Sequence, residues 1–147
     1  MSTSGNAKSL AFVAVGPGPA SPITRISGCD YGPEVTLEQF KQGNANTPSH
    51  WQGDKAGYIE ITTSDIGKRP DFFIGQRFTN VVLTLESART SAGNAVGDDY
   101  TVTLNRAVLT TVGNISRDNA NKVPSVYTLR FELSDHEDGT VPEYSEG

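Results

Sequence analysis

FTNVVLTLES (78–87), DYTVTLNRAVLTTVG (99–113) and SVYTLRFELS (125–134) decide the fold. Successive side chains on a strand point to opposite faces, so a half-buried strand reads as an alternation of period two. In the first stretch Val81, Leu83 and Leu85 fall on one face, and Asn80, Val82, Thr84 and Glu86 on the other. The third is as regular, with Tyr127, Leu129, Phe131 and Leu133 alternating with Val126, Thr128, Arg130 and Glu132. In the second, Tyr100, Val102 and Leu104 share a face, but the phase slips near Arg106. Beyond it Val108 and Val112 face one way and Ala107 and Leu109 the other, which calls for a bulge at 105–107 or for cover on both faces. The connections ARTSAGNAVGD (88–98) and ISRDNANKVP (115–124) hold small residues, with Asn and Asp that tolerate positive φ. Three strands joined in this way form an antiparallel sheet.

Working outward, AGYIEITT (56–63) sets Ile59 and Ile61 against Tyr58, Glu60 and Thr62, a fourth half-buried strand. Ser64 and Asp65 are placed to cap a single helical turn that Pro70 ends. LAFVAV (10–15) reads as a strand stopped by Gly16-Pro17-Gly18-Pro19. ITRISGCDYG (23–32) and PEVTL (33–37) read as two short strands around a Gly-rich bend, and EQFKQGNANTPSHWQGDK (38–55) as a long ordered loop pinned by Phe40 and Trp51. The expected fold is all-β: a single antiparallel β-barrel or sandwich with long loops and at most one short helix. Its β domain covers 10–134, between a flexible amino-terminal arm at 1–9 and an acidic tail at 135–147. That tail has five carboxylates and no Lys or Arg, and is expected in solvent or against a basic neighbour.

A chain of 147 residues buries one core, not two. Its net charge of −5 disfavours nonspecific attraction to phosphate backbones and anionic membranes. Cys29 is the only cysteine, so neither an intramolecular disulfide nor a four-cysteine zinc site is available. The six apolar residues of LAFVAV are too few for a signal peptide core, and no stretch approaches the roughly 20 residues of a membrane span. Synthesis in the cytoplasm with no membrane partner is the expectation.

No constellation for catalysis stands out. Asp135, His136, Glu137 and Asp138 carry metal-binding atoms, but adjacent residues point apart and a tail costs entropy to order, so no metal site is expected. His50 beside Trp51 reads as a surface or contact residue. Asp30 beside Cys29 raises the thiol pKa instead of lowering it, which makes that cysteine a quiet one. Asp98 and Asp99 fall in a turn, Pro17 removes an amide that a phosphate loop needs, and Asn114-Ile115-Ser116 matches the glycosylation pattern by chance. No catalytic residue, cofactor or metal is therefore expected, and the chain is not read as an enzyme. Phe40 and Trp51, aromatic side chains in a polar loop, and Tyr58 are the candidate subunit contacts, with packing onto their own domain as the alternative. Trp51 and Tyr58 with the amides of 42–53 also suit the stacking platform of a carbohydrate-binding β-sandwich.

GYIEITTSDIG, FTNVVLTLES, YTVTLNRAVLTTVG and PSVYTLRFEL together make residues 57–134 resemble the phage tail tube family and its relative, the tube protein of type VI secretion. The shared pattern is a strand, a short helical element and a closing hairpin that ends in an aromatic-rich strand. It contains no diagnostic motif, and virion β-sandwiches such as capsid decoration proteins share it. Residues 38–55 depart from it. The resemblance implies a β-barrel that joins copies of itself into rings, usually of six. The rings stack into a hollow virion tube that meets other virion proteins and passes DNA along a negative wall without specific binding. A capsid decoration protein, clamping capsomers with its arm and loops, is the alternative role.

Overall fold

The computed structural model describes residues 7–40, 49–87, 92, 97–118 and 123–147, and only the backbone at 35–40, 49–55, 117–118 and 123. Among the described residues eight strands form, in chain order β1 (Ala7–Ala14), β2 (Ile26–Phe40), β3 (Ser49–Thr63), β4 (Arg77–Leu85), β5 (Tyr100–Val112), β6 (Ser116–Asp118), β7 (Val123–Leu133) and β8 (Tyr144–Glu146). A 3₁₀ helix at Ile66–Asp71 is the short helical element expected after Asp65, although Asp65 makes no side-chain cap and Pro70 lies inside the helix. No helix among the described residues is long and apolar enough to cross a membrane.

The sheet is antiparallel, in the order β1-β4-β5-β7-β3-β2, with β6 paired to β7 and β8 paired to β5. It curls so that one face closes on itself. Among the described residues the edge strands β1 and β2 form no ladder, and the seam is stitched by one antiparallel pair, Leu10 and Ile23, which exchange two N–H···O bonds of 2.9 Å. The fold is thus all-β as expected, a curled sheet and not a closed barrel.

The residues that alternate inward in the sequence fill the core. Ile59, Ile61, Val81, Leu83, Val102, Leu104, Leu129 and Phe131 are fully buried. Phe12, Phe72, Phe78 and Phe131 meet at its centre, with Phe78 edge-on to both Phe12 and Phe131 at 5.3 Å between ring centroids. Such pairs add about 0.5–1.5 kcal/mol each beyond the area they bury. The phase slip near Arg106 is real, and β4 shares it. Val81 faces Leu104 and Phe78 faces Ala107 in one unbroken register, all four buried, while Asn80 between them takes a φ of 50°. Both strands therefore change phase at one level without losing pairing.

One expectation is corrected. Residues 23–40 do not make two short strands and the start of a loop: β2 runs unbroken through Gly32 and Pro33 to Phe40, and β3 begins at Ser49, so most of 38–55 is a β-hairpin ladder. Of the two settings expected for the tail from Asp135, the second is found at Asp138, which pairs with Arg106, and β8 also pairs with β5.

Candidate interaction surfaces

The first surface is the hairpin of β2 and β3. Their ladder pairs Gly32 with Tyr58, Glu38 with Trp51 and Phe40 with Ser49. β7 covers β3 only from Tyr58 to Thr63, so beyond Tyr58 the hairpin extends past the body as a two-stranded arm. Among the described residues no third strand pairs with that arm. Phe40, Trp51 and His50 lie on it by backbone placement, and their side chains lie outside what is described.

Tyr58 stands at the root of the arm, engaged with its own chain. Its hydroxyl donates to Asp30 Oδ2 at 3.0 Å, and this bond, with burial and the Asp30 charge, raises its pKa. The Arg130 guanidinium lies 4.1 Å over its ring and reaches Glu60 at 3.1 Å, Glu132 at 3.4 Å and Glu34 at 3.5 Å. One cation thus organises a face of carboxylates where β2, β3 and β7 run side by side. The interleaved Tyr58, Glu60, Arg130 and Glu132 carried the signal for this cluster, since each occupies an outward position of the alternation.

The tail forms the second surface. His136 is buried and its Nε2 donates to the Ala107 carbonyl at 2.9 Å. Arg106 Nε reaches Asp138 at 2.7 Å, and this bond, with the Thr140 amide, holds the Asp138 carboxyl below its ordinary pKa. Asn105 accepts from the Glu143 amide at 2.6 Å and donates to the Val141 carbonyl at 2.9 Å. β8 then lies along β5 with Tyr144 opposite Leu104 and Glu146 opposite Val102, on the edge that β7 leaves uncovered beyond Ala107. That open edge is what the reading of the tail by its charge missed: unpaired strand edges seek partners. His136 serves here as a strap, and among the described residues no group of three or more His, Cys, Asp or Glu is arranged to hold a metal. Cys29 is half-buried, and burial first, then Asp30, push its thiol pKa up.

Beside β8, the exposed Tyr100 donates to Glu146 Oε1 at 2.7 Å. Burial first and the Glu146 carboxylate second raise the Tyr31 phenol. Phenols and carboxylates are therefore gathered at this end of the sheet. The opposite end holds two large apolar side chains, Phe73 (55% exposed) and Ile74 (68%), on the turn between the 3₁₀ helix and β4. The run Phe72-Phe73-Ile74-Gly75 was the signal for it: Phe72 fills the core, and the next two have nowhere to go.

No family model matches the sequence, and no curated protein matches it significantly. A chain of the 6-fold symmetrised cryo-EM structure of the anti-feeding prophage baseplate is similar to this one in fold. The TM-score is 0.52, with 16% identity over 95% of this chain and 89% of that one. At that identity the likeness is one of fold.

Proposed function

We propose that this chain is a structural, non-catalytic subunit of a phage-type virion or injection apparatus, and within that class a tail tube subunit. Copies join side by side into rings, and the rings stack into a conduit for DNA. The observation that carries this reading is the β2–β3 arm, a ladder that leaves the body with an unpartnered edge on each side among the described residues. Lone two-stranded ribbons are marginal in water, and a neighbouring subunit that adds a strand supplies what the arm lacks. The fold likeness to a chain from a six-fold symmetrised baseplate supports the same class. A net charge of −5 suits a wall along which DNA slides without sticking. In this reading the subunit is made in the host cytoplasm and ends in the virion, with Phe40, Trp51 and Tyr58 among its contacts.

Light scattering over a range of concentrations, with negative-stain images, tests it. Rings or tubes are expected, and replacing 36–53 by a two-residue turn should abolish them while leaving the circular dichroism of the body intact. Trimers would point to capsid decoration, and a strict monomer at every concentration would overturn self-assembly.

A further inference from the structure

Resting on that reading, we propose that the Phe73–Ile74 turn is a docking knob by which one copy stacks head to tail on the Tyr100–Glu146 end of a second copy. The turn is held rigidly. The Gly75 amide (φ 90°) donates to the Leu109 carbonyl at 2.8 Å, and the Leu109 amide donates back to the Gln76 carbonyl at 2.8 Å. Gln76 is 2% exposed, accepting from the Phe73 amide at 3.3 Å and donating to the Pro17 carbonyl at 3.2 Å. Apolar side chains fixed in this way lose little freedom on binding, which is the property of an interface anchor. Val15, exposed just after β1, lies at the same end, its amide bonding to the Arg77 carbonyl at 3.0 Å.

The charges select the partner. Arg77 opens β4 beside the knob and Arg25 lies just before β2 at the same end, both exposed and neither in an ion pair among the described residues. A surface that receives them needs carboxylates with aromatic rings, which attract guanidinium groups. The chain offers that combination at its other end: β4 runs from Arg77 to Leu85, roughly 26 Å at about 3.3 Å per residue, and Leu85 pairs with Tyr100. There stand Tyr100, Glu146 and the exposed Asp98. Knob against knob would set Arg77 facing Arg77, so like ends repel. Unlike ends make a heterologous contact, which propagates instead of closing on a pair.

The test uses the full chain with Cys29→Ser, prepared separately with Ile74→Cys and with Asp98→Cys, mixed in equal amounts and oxidised. A 74–98 disulfide between copies is expected, with each variant alone giving at least tenfold less. Ile74→Asp should raise the concentration needed for assembly at least tenfold with unchanged circular dichroism. A 74–74 disulfide, or assemblies that form without the 74–98 bond, would overturn the knob and leave self-assembly standing. Absence of any assembly by the unaltered chain would overturn both.

Discussion

Tyr127 shows how one side chain ties the pH response of the molecule to its core. It is 1% exposed, and its hydroxyl donates to the Asp65 carbonyl at 3.0 Å. Burial first and the Asp65 charge second, against Arg69, push its pKa up to about 12. A raised phenol pKa leaves stability intact below the ordinary value near 10, and stability falls as the unfolded chain ionises while the folded one does not. Tyr127 should therefore contribute a loss of about 2–3 kcal/mol between pH 10 and 12, at 1.36 kcal/mol per unit, to which the still more strongly raised Tyr144 phenol adds. Tyr127→Phe should cost about 1 kcal/mol at pH 7 through the lost hydrogen bond and should flatten that alkaline fall. Urea midpoints from pH 7 to 12 check both, and an equally steep fall in the variant would remove Tyr127 as the cause. Gln76 acts in the same way on the turn it supports. A Cβ on Gly18 would stand 2.4 Å from Gln76 Nε2 and 2.8 Å from the Ala14 Cβ, so this close approach needs glycine. Gln76→Ala should cost about 1–3 kcal/mol by leaving the Phe73 amide and Pro17 carbonyl short of partners, measured by chemical denaturation.

Among the elements, the tail is the most open to manipulation. The Tyr144 side chain packs against Gly57, where an added Cβ would come within 2.8–3.1 Å of it, so Gly57→Ala should unseat β8. A loss of about 1–3 kcal/mol is expected from the overpacking, with faster exchange of the Thr101 and Asn105 amides, which bond to the Gly147 and Glu143 carbonyls. Acid should release the same segment. Because Arg106 depresses the Asp138 pKa, the ion pair holds above the ordinary carboxylate range and is lost as pH falls through that lowered value. Strands β4, β5 and β7 were legible because each buries one face, and alternation is the imprint of that burial. The hairpin was not legible, for a physical reason. β2 is an edge strand and tolerates Gly28, Gly32 and Pro33, since a residue that lacks an N–H or a side chain costs least where one side pairs with nothing. The outer half of β3, HWQGDK, leaves the core behind, so no face of it needs apolar residues. Of the candidate contacts, Tyr58 belongs to the alternating part of β3.

For the molecule as a whole, its two ends differ in kind: apolar and basic around Phe73, phenolic and acidic around Tyr100. The arm continues β2 and β3 past the body from the phenolic and acidic end, where Gly57 packs against Tyr144 and Tyr31 lies near Glu146. In the proposed assembly, unlike ends would let copies add in one direction, and the arm would supply a further contact between them. The stitch between Leu10 and Ile23 has a consequence for such a lattice. In a closed barrel the number of strands and their shear set the radius. A sheet fastened to itself at one point is a split ring instead, and its curvature adjusts by rotation about that point without breaking a ladder. In the proposed assembly, such a seam would let each copy adjust to neighbours set at slightly different angles.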